Sequence, residues 1–157
     1  MQFILWSLLL LSMVLSPGEV APRGIIKVCL SDTYINVSKL YEYCQVPGEC
    51  GKALESEGLT ALVSGTVDYN NVFEHGRYPQ LPYEKFFLMD AEGKTVEVLA
   101  VSSDNRPIFR KISDARKGGL KQAFVKGIVR GMDAPVMGTC RRWIRLELRD
   151  AEDVSFK

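Results

Sequence analysis

From residue 59 onward the chain repeats in the period of a β-strand, and no other feature restricts its fold as much. Residues 59–67 read LTALVSGTV, 85–89 KFFLM and 95–101 TVEVLAV. Branched and aromatic residues at this density fit a pleated, half-buried surface. Between the second and third runs lies Asp90-Ala91-Glu92-Gly93-Lys94, a hairpin turn whose glycine supplies the positive φ such a turn needs. After Val101 the period lengthens to that of a helix. Asp104 or Asn105 offers a cap, Pro107 falls in the first turn, Ile108, Phe109, Ile112 and Ala115 recur on one face, and Gly118-Gly119 ends it. Residues 123–131 (AFVKGIVRG) and 143–148 (WIRLEL) then return to strand. In the last run Ile144, Leu146 and Leu148 share one face, and Trp143, Arg145 and Glu147 the other. Residues 131–140, with Met132 and Met137, are expected to form the loop joining these two strands.

The order is strand, strand, strand, helix, strand, strand, with a long loop over 68–84. Val63-Ser64-Gly65-Thr66-Val67 and Val125-Lys126-Gly127-Ile128-Val129 repeat one pattern in the first and fourth strands. A glycine inside a strand marks a bend or a close backbone approach. On these residues the stretch 59–150 resembles the OB-fold superfamily. More loosely, it is similar to exported bacterial members whose barrel follows a signal peptide and a short helical lead-in. The resemblance implies a mainly β, five-stranded Greek-key barrel with one helix between strands three and four. It also implies a ligand surface across strands two and three, between the loop joining strands one and two and the loop joining four and five. Thermonucleases use such a barrel too, but no matching set of metal-binding aspartates with catalytic arginine and glutamate is present here.

Ahead of that unit the chain reads as a leader and a lead-in. Residues 3–15, FILWSLLLLSMVL, carry no charge and are broken by Ser16-Pro17-Gly18. At about 1.5 Å per residue the run reaches roughly 20 Å, short of the ~30 Å hydrocarbon core. This is the length of a signal peptide, expected over residues 1–21, with a cut after Gly18 or Ala21. An uncleaved anchor and a buried N-terminal element of a cytosolic protein are the other readings. Residues 22–58 form the lead-in, with a short strand over 25–30 and a short helix from about Ser38 that carries Ile35, Val37, Leu40, Tyr41 and Cys44 along one side. Residues 59–157 form the barrel unit. Export predicts a periplasmic or secreted protein, in which the four cysteines Cys29, Cys44, Cys50 and Cys140 would form disulfides. The turn-forming segment between Cys44 and Cys50 favours that pair, leaving Cys29 with Cys140.

At 157 residues, with 46% hydrophobic and 25% charged side chains, the chain is neither a disordered tail nor a multi-pass membrane protein. The single histidine, His75, and the lack of any C-x-x-C pair speak against a metal site. No nucleophile with a base and an orienting group is legible, so no catalytic residue and no cofactor is expected. The net charge of +1 hides an asymmetry. Residues 106–149 hold 12 Lys or Arg against Asp114, Asp133 and Glu147, whereas residues 19–104 hold 13 acids against 7 bases. Such a basic half meets phosphates, anionic lipid or an acidic protein, or pairs with the acidic strands within the fold.

The loop over 68–84 is rich in aromatic and hydrogen-bonding side chains, and long loops of this kind often carry function. The expected ligand surface combines Tyr69, Asn70, Phe73, His75, Arg77 and Tyr78 with Arg141 and Arg142 from the opposite loop. These residues suit an exported, non-catalytic module that binds a protein or glycan-like partner in the cell envelope. A module for single-stranded nucleic acid is the alternative, weakened by the leader.

Overall fold

The computed structural model describes residues 29–46 and 50–157. The expected signal peptide and residues 25–28 of the first expected strand lie outside them. A short helix α1 (Val37–Tyr43) precedes strands β1 (Thr60–Val67), β2 (Glu84–Met89) and β3 (Thr95–Ala100). Helix α2 (Arg106–Lys117) leads to β4 (Gln122–Val136) and β5 (Thr139–Leu148), and a one-turn 3-10 helix to a final β6 (Val154–Phe156). The chain is mainly β, with the strand order and the helix position that the sequence predicts. The six strands form one sheet in the order β1-β2-β3-β5-β4-β6, and a further pairing of β1 with β4 closes five of them into a ring. Among these six strands only β3 and β5 pair in parallel.

Alternation decides what faces inward. Ala61 and Val63 of β1, Phe86 and Leu88 of β2, Val98 of β3, Val125 and Val129 of β4, and Ile144, Leu146 and Leu148 of β5 are fully buried. Their immediate sequence neighbours, one residue out of phase, form the outer face. The two glycine-containing strands meet as antiparallel partners, with Val63 opposite Val125. A Cβ on Gly127 would stand 2.8 Å from Leu146 Cβ, and one on Gly65 3.0 Å from the Met89 carbonyl oxygen. Both positions face inward where another strand crosses closely, so neither has room for a side chain.

Each end of the ring is closed by a helix. At the end where β3 leaves the sheet, α2 inserts Ile108, Phe109 and Ile112. Asn105 stands at its start, where the amide also bonds the Glu84 carboxylate at 2.8 Å and its oxygen accepts from Ser102 N–H. At the end bearing the β2–β3 turn, α1 inserts Val37, Leu40 and Cys44. Asn36 caps α1 by accepting from Lys39 N–H, and Ser38 ties it to that turn by donating to Asp90 at 2.6 Å. Upstream, the lead-in lies along β1 in parallel: Leu30 N–H donates to Thr60 and Ser64 N–H to Ile35. It occupies the side of β1 facing β2, since β2 pairs with β1 only at Thr66 and Val67.

Three expectations are corrected. The segment 131–140 is not a loop: β4 and β5 continue through it as a two-stranded ribbon, paired as far as Val136 with Thr139, around a turn at Met137 (φ 49°) and Gly138 (φ 78°). Pro135 is tolerated there because β1 pairs with β4 only as far as Ile128, leaving one side of the ribbon without a partner strand. The disulfide joins Cys50 to Cys140, Cα atoms 6.3 Å apart, and not Cys44 to Cys50 or Cys29 to Cys140. Cys44 ends α1 with its thiol turned into the core, 4% exposed, while the Cys29 thiol points to the Ser31 carbonyl beside β1. Finally, β6, absent from the expected strand list, pairs with β4 at residues 123–125. Among the described residues no helix is long and apolar enough to cross a membrane.

Candidate functional site

The loop between β1 and β2 does not hang free. Phe73 pairs its backbone with Lys85 through two hydrogen bonds of 2.8 and 2.9 Å, which folds residues 74–83 back as a compact excursion. His75 caps that excursion: its N–H donates to Glu84 and its Nε2 lies 2.9 Å from the Leu81 carbonyl, so Nε2 carries the hydrogen. The imidazole is therefore a fastener of the loop.

Consecutive loop residues then diverge to two places. Phe73 turns to the outer face of β2, with its ring 5.2 Å from Tyr78 and edge-on to Phe87 at 6.4 Å. Lys85 stands among these rings, its ammonium 5.1 to 5.8 Å from the centroids of Tyr83, Phe87 and Phe73. Asp68, Asn71, Phe73, Lys85, Phe87 and Thr95 line a shallow groove on this face. The Asp68 carboxylate accepts from Asn70 N–H and from the Asn71 amide at 2.7 Å, leaving lone pairs and the Asn71 carbonyl for a ligand.

Tyr69 turns the other way, toward α2. Its hydroxyl donates to the Leu120 carbonyl, and the Arg116 guanidinium lies 6.0 Å from its ring centre. Burial pushes the phenol above its ordinary pKa, against a smaller downward pull from Arg116. Arg77 borders the same cleft, whereas Asn70 is exposed and lines neither the cleft nor the groove.

Arg141 and Arg142 sit on the β4–β5 ribbon at the opposite end of the ring. Arg141 is exposed. Arg142 is not available to a ligand: it grips both oxygens of Asp133 at 2.7 and 2.8 Å and donates to the Lys52 carbonyl, with its side chain only 6% exposed. Together with Gly51 N–H it holds the Asp133 carboxyl down to about 2. Cys50, Asp133 and Cys140 are the one group of potential metal donors among the described residues. Their sulfurs are joined to each other and so are not thiolates, and the carboxylate is already neutralised by Arg142, so the group does not make a set of metal ligands.

Outward positions of β3, β5 and β4 complete the face next to the groove. Lys85 pairs with Glu97 at 2.9 Å, Arg130 with Glu147 at 2.9 Å and with Glu57 at 3.6 Å, and Arg145 with Glu147 at 3.8 Å. Three cations meet three carboxylates, so the strand face is close to neutral although the sequence around it is basic. At the α2 end Arg77, Arg110, Arg116 and Lys121 make no ion pair among the described residues, whereas Arg106 and Lys117 pair with Asp104 and Asp114. Sequence reasoning missed Lys85, Phe87, Asp68 and Thr95. The alternation of EKFFLM holds the signal for the first two, because burying Phe86 and Leu88 forces Lys85 and Phe87 outward. No protein-family model matches this chain, and no curated protein sequence matches it either.

Proposed function

We propose that this chain is an exported, non-catalytic OB-type barrel module whose strand face binds an uncharged, glycan-like ligand. The observation that carries the reading is the groove over Phe73 and Phe87, with Asp68 and Asn71 at its edge and its one lining cation, Lys85, already paired with Glu97. Aromatic faces flanked by a carboxylate and an amide suit the C–H faces and hydroxyls of a sugar. A polyanionic strand would instead have to displace the carboxylates from Lys85, Arg130 and Arg145, which argues against the nucleic-acid alternative. A protein partner would use the same rings, but the edge of the groove is polar, which favours the glycan-like ligand. Five strands closed in a ring, with a helix between β3 and β4, support the barrel assignment. The disulfide supports a location outside the cytoplasm.

The test is an amide-shift titration of the isotope-labelled protein with chitotetraose and, separately, with an oligothymidylate. The reading predicts saturable shifts at Asn71, Phe73, Phe87 and Thr95 with the neutral sugar, unchanged between low and high salt. Shifts of those signals by the oligothymidylate alone, falling steeply with salt, would transfer the face to nucleic acid. Silence with both probes would leave the groove as packing.

A further inference from the structure

We propose that the cleft between the β1–β2 loop and α2 is a second, separate site that takes a monoanion on an apolar body, such as an aryl or alkyl carboxylate. It shares no lining residue with the strand groove. The loop supplies Tyr69, Val72, Glu74 and Arg77 to one and Asp68, Asn71 and Phe73 to the other.

The floor is apolar, made by Val72 with Phe109 and Ile112 of α2. Two guanidiniums border it. Arg116 is positioned by the face of the Tyr69 ring and not by a carboxylate, so its N–H donors remain uncommitted. The ring is itself fixed, since its hydroxyl is bonded to the Leu120 carbonyl at the exit of α2. Arg77 has no ion pair among the described residues and lies across the same cleft. Glu74 also lines the cleft, so these three side chains sum to one positive charge. That balance matches a single negative charge and disfavours a dianion, which would meet Glu74 as a like charge. Arg110 on α2 and Lys121 just after it, without an ion pair among the described residues, add to the positive field of this end of the molecule. A planar guanidinium presents paired donors to a carboxylate, and the floor covers the ligand's apolar body.

The experiment titrates the isotope-labelled protein with para-toluate, its uncharged analogue para-methylbenzyl alcohol, and inorganic phosphate. The proposal predicts saturable para-toluate shifts confined to residues 69–77 and 109–116, with the alcohol and phosphate binding roughly ten-fold or more weaker. Arg77→Gln and Arg116→Gln, both at exposed positions, should each weaken para-toluate roughly ten-fold while thermal unfolding is unchanged. The proposal is overturned by shifts that stay unsaturated or spread over the surface. It is equally overturned by undiminished binding in the double variant, or by phosphate binding as tightly as para-toluate. Because chitotetraose reports on the other groove, failure here and failure of the glycan reading are separate results.

Discussion

Gly127 shows how closely one position can be specified. Its missing side chain lets β4 pass against Leu146, and a Cβ placed there at 2.8 Å has only another Cβ and backbone to push against. Gly127→Ala is expected to cost about 1–3 kcal/mol in urea unfolding. Gly131→Ala meets the end of the Leu54 side chain at 2.9 Å, which can turn away, so a loss under about 1 kcal/mol is expected. Asp133 gives a second residue-scale prediction. Arg142 holds its carboxyl at about 2, below the ~3.9 of an unfolded chain. The stabilisation is thus complete above about pH 4 and is lost as pH falls toward about 2. Asp133→Asn should be less stable at neutral pH, and its difference from the parent should shrink through that window in denaturant titrations at stepped pH. Gly65 and Gly127 were legible in the sequence as strand glycines. The Asp133–Arg142 pair was not, because its register depends on a ribbon that Pro135 and the Met137 turn disguised as a loop.

At the scale of elements, the lead-in is part of the core. Leu40 is fully buried where α1 closes the ring, and Leu40→Ala should cost about 2–5 kcal/mol with loss of near-ultraviolet dichroism on heating at a lower temperature. An unchanged midpoint would mean that the ring is sealed without α1. The elements with a strong period, β1 to β3 and α2, were readable because burial on one face imposes period 2 or 3.6. Three elements escaped for different reasons. The ends of β4 and β5 leave the core, so alternation there no longer tracks burial. Strand β6 is three residues long, too short for any period. The disulfide depends on where the residue-50 turn is laid against the ribbon, a tertiary fact that spacing between Cys44 and Cys50 cannot express.

For the whole molecule, charge sorts by place and not by sequence half. Among the basic residues after Arg106, Arg130, Arg142 and Arg145 meet carboxylates on β4, β5 and the lead-in, while Arg110, Arg116 and Lys121 around α2, with Lys126 and Arg141 on the strands, make no ion pair among the described residues. This sorting yields a neutral aromatic face and a positive end on one small chain, which the composition could not distinguish. The candidate surface was legible only as a loop. Its division into a strand groove and an α2 cleft follows from the Phe73–Lys85 pairing, which one sequence does not reveal. If the protein is an exported module whose Cys50–Cys140 disulfide ties the lead-in to the ribbon, the intact mass of the protein from native cells, alkylated under denaturing conditions before and after reduction, will show it. The expected chain is shortened at its N-terminus and takes up two alkyl groups before reduction, at Cys29 and Cys44, and four after. A full-length chain with all four cysteines alkylated before reduction would contradict both the export and the covalent link.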